Sequence, residues 1–400
     1  MSPPLTDRKL DASVRCVFFL VLMSSASLAV LNLLPLYFEK LGGSPRRIGI
    51  LVGLFSLASF LSRPFVGLLL GRVEPRKVMI LGLLLMLAVT ACYPFIRHLD
   101  AWMVAVRALH GVGFSLFILA ALFIVVLNVP DGLKTYALGV ISAGFMLPLL
   151  IFPFIGEEII LRLGFNGFFV LAAVLVLIPF AYGSLRKISC SVPGEDMDSP
   201  RVGFLSLLFR RRVFILVLLT LVFETALSAV YGFVPLLAHN GTGMKSGLYY
   251  MFLGMMAVFL RLVIGRRFRI WGDARLIPPA FLFLAAGTVL LTVAFSNVVL
   301  ASAGLIFGLG AGILYPHLSA QLVSGLPKRE KSLVLSIFAA AVDLGFAVGP
   351  FTLGMISDSI GVRSAFLPFS LAVLFVSAGL MAAGRSIFRS TPHKPAEPVI

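Results

Sequence analysis

The sequence predicts an all-α membrane protein, with twelve transmembrane helices arranged as two parallel six-helix repeats. Three observations predict it. The first is composition: 60% of the 400 residues are hydrophobic and only 12% are charged, about half the charged fraction of a soluble domain. Such a chain has too little polar surface to face water, and a bilayer is its natural solvent. The second is a series of apolar stretches long enough to cross a membrane. The third is that the second half of the chain echoes the first.

The apolar stretches run roughly over 14–38, 47–70, 77–96, 101–127, 135–160, 165–185, 211–237, 245–265, 275–295, 297–324, 332–357 and 363–384. Each meets or exceeds the roughly 20 residues a spanning helix needs. The first has no small-residue cleavage site after its long apolar region, so it reads as a span rather than a removed signal. Connections are short except for 186–210, which contains "SCSVPGEDMDSPR". That polar segment divides the chain into a bundle over 1–185, a linker over 186–210 and a second bundle over 211–400 with a short tail. Membrane helices tolerate the 37 glycines and 23 prolines better than soluble helices do.

Most Lys and Arg fall on one side if both termini are cytoplasmic, including Arg72, Arg76, Lys77, Arg210, Arg211, Arg212, Arg266, Arg267 and Arg269. Cytoplasmic loops attract such residues, so the net charge of +16 reads as membrane orientation and not as a nucleic-acid surface. The expectation is a multi-pass membrane protein with both termini in the cytoplasm. Cys16, Cys92 and Cys190 are far apart and read as free thiols.

The halves align about 200 residues apart. Pro35 pairs with Pro235, Arg63 with Arg261, and Gly67 with Gly265. Gly111 and Gly113 in "HGVGF" pair with Gly308 and Gly310 in "FGLGA", Pro153 with Pro350, and Gly164 with Gly361. Six spans per half start both halves on the same side, which makes the repeats parallel. Two such halves can rock about a site between them.

Several local motifs resemble the major facilitator superfamily. That family's loop after the second span reads G-x-L-A-D-R-x-G-R-[RK]. Here Gly67, Leu69, Arg72, Arg76 and Lys77 keep the pattern, with Gly71 in place of Asp and Glu74 in place of Gly. The family's R-x-x-x-G-x-G of the fourth span is matched by Arg107, Gly111 and Gly113. The G-P-x-x-G type motif of exporters is partly kept at Pro153 and Gly156, and more fully at Gly349, Pro350 and Gly354. The resemblance is nearest to bacterial sugar-efflux-like and drug-efflux-like permeases. It implies the major facilitator fold, a small-molecule substrate, no cofactor and a unit that works as a monomer. It also implies a role for Arg107 in proton coupling or a polar network, and for Arg72 and Arg76 in latching the halves.

Charge at mid-membrane is expensive, so ionisable residues there are expected to face the interior. Arg63 reads as a contact for solute or gate, or else as a residue snorkelling to headgroups. Arg261 lies closer to the membrane edge. His110 shares a helix face with Arg107, and an imidazole titrates near neutral pH; a hydrogen-bonded packing role is the plainer reading. Glu224 in the seventh span and Asp343 in the eleventh are candidate proton carriers, or else fixed ion-pair partners of an arginine. Asn32, Tyr231, Tyr315 and His317 are polar residues in spans that line the cavity of the resembled fold. Glu157 and Glu158 end the fifth span, where solvation by water is expected. Gly67, Gly111, Gly113, Gly349, Pro153 and Pro350 read as gating and packing positions. No P-loop, zinc spacing, hydrolase elbow or dinucleotide fingerprint is present, which argues against an enzyme. The leading expectation is a proton-coupled exporter of a small amphipathic or polar solute. Uptake or flipping of an anionic solute or lipid is the second reading, and a polytopic membrane enzyme or sensor the third.

Overall fold

The computed structural model describes residues 12–129, 133–186, 204–239, 243–260 and 274–385. Arg261, Gly265, Cys190 and the middle of the linker lie outside the described residues. The helices are α1 (Ala12–Leu31), α2 (Leu34–Lys40), α3 (Pro45–Leu70), α4 (Pro75–Cys92), α5 (Ala101–Asn128), α6 (Lys134–Met146), α7 (Phe152–Leu185), α8 (Phe204–Leu208), α9 (Arg211–His239), α10 (Ser246–Phe259), α11 (Ile277–Leu290), α12 (Asn297–Val323), α13 (Lys328–Ile360) and α14 (Val362–Ala383).

Among the described residues, ten helical stretches are long and apolar enough to cross a membrane. One of them, Ala137–Leu185, has 49 residues and holds two spans. Gly164 breaks it with φ +68°, a left-handed conformation open to glycine. Its repeat partner Gly361 has φ +82° and performs the same turn between α13 and α14. The shorter apolar helix Ser246–Phe259 occupies the eighth predicted span, so the described helices account for all twelve.

Local signals set the helix starts. Ser44 and Ser296 accept from the backbone N–H groups of Arg47 and Val299, and Asp100 accepts from Trp102 and Met103. These are N-caps for donors that have no helical partner. Large apolar side chains such as Leu161, Val170, Leu282 and Phe375 stand on the outside, where lipid would solvate them.

The paired glycines pack alike in the two halves. A side chain at Gly111 would meet Phe55 and Ser59 of α3, and one at Gly308 would meet Leu253 and Met256 of α10. Gly113 faces Gly82 and Met86 of α4, and Gly310 faces Ala280 and Leu284 of α11. The repeat is therefore a repeat of helix crossings, not only of residues. The prolines differ: Pro350 lies inside continuous α13, whereas Pro153 starts α7 after a 3-10 turn at Leu147–Leu150.

The halves meet along α3 and α13, and along α7 and α10. Contact is closest at the end away from the chain termini, called here the far end. There Gly49 lies on the backbone of Pro350 and Gly354, Gly53 on Ala347, and Gly247 on Phe154. The backbone N–H of Arg46 donates to Asp358 at 3.4 Å. One apolar core runs through both halves at this level. A separate core fills the other end of the first half alone.

Candidate functional site

The seam between α3 and α13 changes character along its length. Small residues allow backbone contact at the far end. At mid-depth α3 carries Ser59, Ser62 and Arg63, and α13 carries Asp343. Arg63 Nε donates to Asp343 Oδ2, forming an ion pair between the halves. Ser59 Oγ donates to the same oxygen at 3.4 Å. The two side chains are 22% and 10% exposed, so the pair sits at an edge rather than in a sealed core. One turn further along the same face of α3, a side chain at Gly67 would meet nothing within 4 Å. The seam therefore opens just beyond the ion pair, toward the end that bears the termini.

Glu224 is buried at 1% exposure on α9. It packs against Gly345 of α13, two residues past Asp343. Two residues turn a helix by about 200°, so Asp343 faces the other half while Gly345 faces α9. The two carboxylates flank one helix from opposite sides.

Arg107 and His110 are buried inside the first half, away from the ion pair. Arg107 Nε donates to Leu51 O at 2.9 Å, Nη2 to Val52 O at 3.3 Å and Nη1 to Tyr93 Oη at 3.3 Å. Its guanidinium lies 5.1 Å from the Phe55 ring centre. His110 Nδ1 is 3.2 Å from Tyr93 Oη, and its ring meets Phe55 edge to face. Every hydrogen bond of Arg107 ends on a neutral oxygen. The guanidinium fork ties α5 to carbonyls of α3, and among the described residues no carboxylate pairs with it.

The remaining sequence candidates disperse. Asn32 sits half-buried in the turn between α1 and α2. Tyr231 O accepts from Tyr250 Oη at 2.7 Å, and the Tyr231 ring packs on Tyr250 and Phe346. Tyr315 packs on Phe338. His317 Nδ1 lies 2.7 Å from Ile313 O one turn back. Gly349 packs on Thr225, Ser228 and Ala229 of α9, and Pro350 on Gly49 and Gly232. Gly156, near Pro153, rests on Leu33 and Val30.

Arg76 Nη2 donates to Gly183 O and Ser184 O at 3.3 and 2.8 Å. It caps the end of α7 within its own half. Arg72 is exposed. In the other half Arg210 binds both oxygens of Glu330 at 2.5 and 2.9 Å, and this bond pushes the Arg210 pKa up. Among the described residues no His, Cys, Asp or Glu cluster has metal-binding geometry.

Glu157, expected to be solvated by water at the end of the fifth span, is instead bonded to protein. Its carboxylate accepts from the backbone N–H groups of Ser246 at 3.0 Å and Gly247 at 2.8 Å. Those donors open α10, in the opposite half. Glu158 beside it pairs with Lys245. The available signal was two adjacent carboxylates at the level where a helix of the other half begins with no acidic cap of its own.

The comparisons agree with this architecture. The family model described as Major Facilitator Superfamily matches residues 16–350 and 269–398. The chain belongs to that superfamily. Among curated members, it is 24% identical over 378 residues to the staphylopine export protein of Staphylococcus aureus, covering 90% of this chain and 93% of that one. The multi-drug resistance efflux pump PmrA of Streptococcus pneumoniae is 24% identical over 389 residues, covering 93% and 96%. The multidrug resistance protein MdtG of Yersinia enterocolitica is 27% identical over 369 residues, covering 88% of each chain. Among solved facilitator structures, the nucleoside transporter NupG superposes with a TM-score of 0.76 at 11% identity over 93% of this chain and 99% of that one. A bacterial homolog to the human lysosomal transporter Spinster also reaches 0.76, at 13% identity over 95% and 98%. At these identities the structural likeness concerns the fold.

Proposed function

We propose that the protein is a proton-coupled exporter of a small amphipathic or polar solute, working by alternating access in a bacterial inner membrane. The observation that carries the reading is the Arg63–Asp343 pair, which bridges the halves where the seam opens. The similarity to proteins named as an export protein and an efflux pump supports the direction. The basic loops favour cytoplasmic termini; in that orientation the far end is external and the cleft opens inward. Residues 1–185 and 211–400 form the two moving bundles.

A proton and a donor group of the solute compete with Arg63 for the carboxylate of Asp343, whose Oδ2 also accepts from Ser59. Such competition at one carboxylate couples entry of a proton to exit of a solute. Glu224 serves as a second carboxyl behind α13, reached when α9 and α13 shift. The test is flux in proteoliposomes carrying a pH gradient. Asp343→Asn abolishes gradient-driven flux and leaves solute exchange intact, and Glu224→Gln weakens gradient-driven flux. Unchanged gradient-driven flux in both variants removes the proton carriers; loss of exchange as well assigns them to solute binding or structure.

One observation favours the second reading, transport of an anionic solute or lipid. Arg107 adds positive charge to the interior, and among the described residues it has no carboxylate partner. In that case the anion takes Arg63 while a proton takes Asp343, so proton and solute bind together. Solute affinity then rises as pH falls, whereas competition for Asp343 makes it drop.

A further inference from the structure

We propose that Glu157 is a proton-operated latch on the far end, a role that rests on the proton-coupled reading above. The first N–H groups of a helix have no partner within it and attract negative charge. A cap normally comes from the residues just before the helix. Lys245, at that place in α10, makes no side-chain cap, and its own N–H donates to Asn297 Oδ1 at 2.8 Å. Both oxygens of Glu157 fill the role instead, reaching from α7 in the opposite half. The start of α10 is thus complete only while the far end is shut.

The charged and titratable groups around Glu157 are Lys245 and Tyr250 from the α10 side, and Glu158 and Arg162 from its own helix. Glu158 binds Lys245 and lies 3.6 Å from Arg162. Lys245 Nζ also stands 5.3 Å over the Phe154 ring. Tyr250 Oη is taken by Tyr231 O, and Asn297 is neutral. Among the described residues no partner but the paired Lys245 replaces the lost attraction when Glu157 gains a proton.

Protonation turns one acceptor oxygen into a donor that faces an N–H donor. It also removes the charge attracted to the helix end, and charge-assisted hydrogen bonds are about twice as strong as neutral ones. The cap fails and the halves can part at the far end. The proton that opens this end is one arriving from that end, before Asp343 exchanges it further in.

The test uses spin labels at Leu161→Cys on α7 and Val298→Cys on α12, both exposed at the far end, in full-length protein with the native cysteines replaced. Distances are measured from about pH 8 to about pH 5. The protein with native Glu157 gains a longer distance as pH falls. Glu157→Gln carries that longer component at every pH, shifted by about tenfold, equivalent to about 1.4 kcal/mol, and no longer responds to pH. Ser246→Pro removes one of the two donors at a helix position that accepts proline; it gives a partial shift and leaves the carboxylate in place. Distances that ignore pH with Glu157 present, or a native-like response in either variant, overturn the latch. The same series on Asp343→Asn separates the two ideas. A native-like response in Glu157→Gln with gradient-driven flux lost in Asp343→Asn defeats the latch alone. A flat response in Glu157→Gln with gradient-driven flux intact in every variant defeats the coupling alone.

Discussion

Adding one methyl group at Gly53 should move the conformational balance rather than weaken the fold. An alanine side chain there meets the carbonyl oxygen of Ala347, its carbonyl carbon at 3.3 Å and its Cα at 3.6 Å. Unstrained carbon contacts lie at about 3.5–4.0 Å. The obstructing oxygen is helix backbone and cannot rotate aside. Overpacking of this kind costs about 1–3 kcal/mol. Every atom met belongs to the other half, so the cost falls only on the arrangement with the far end shut. The shut state should lose about 5- to 150-fold in population relative to the open one. Gly111→Ala is the control. Its methyl also strikes backbone, with Phe55 C at 3.0 Å and Ser59 N at 3.1 Å, but α3 and α5 belong to one half and stay together in every state. Gly111→Ala should lower Tm in detergent without lengthening the far-end distance between labels at 161 and 298. Gly53→Ala should lengthen it. If Gly53→Ala lowers Tm as Gly111→Ala does and leaves the distance unchanged, the halves do not move as units about this seam.

Two further outcomes are expected. Arg107→Lys exchanges a planar fork reaching three oxygens on two elements for a single ammonium; loss of one or two hydrogen bonds at about 1 kcal/mol each should lower Tm, measured by thermal unfolding in detergent, and the label distances should not change. Gly164→Ala meets no atom within 4 Å but must hold φ at +68° with ψ at −170°, a region essentially confined to glycine that costs an L-residue about 1–3 kcal/mol; it should lower Tm, whereas Gly67→Ala, with equal space inside a helix, should be neutral or slightly stabilising.

The spans were legible because hydropathy over about 20 residues reports the solvent directly. The crossings were legible for a related reason: a glycine pair recurring at matched places in two halves marks backbone contact, and Gly111 with Gly308 makes that contact on corresponding helices. Arg63 and Asp343 could be named as costly charges, but their pairing depends on how α3 and α13 slide past each other, which no local pattern encodes. Arg107 illustrates the opposite limit. Its motif pointed to a polar network, and the network exists, but with carbonyl oxygens that have no sequence signature. Glu157 was hidden for the same reason: its partners are two backbone N–H groups in the other half, and a glutamate beside a second glutamate at a span end looks like a solvated surface.

The two halves are not equal supports for the charged pair. The register set by Gly111 and Gly308 places Gly304 opposite Arg107 and Phe307 opposite His110. At Gly304 the backbone of α12 closes directly on Tyr249 of α10, and Phe307 fills the space beside it with an apolar ring. In the first half the corresponding crossing is held by a guanidinium reaching into the carbonyls of α3. Arg63 therefore rides on a helix fastened by charge-assisted hydrogen bonds. Asp343 rides on α13, which is fastened to α9 by the close contacts of Gly345 and Gly349. Neither attachment depends on the Arg63–Asp343 bond itself. When a proton or solute breaks that bond, each helix has reason to stay with its own half, and the resulting freedom appears at the seam, where it can open one end and close the other.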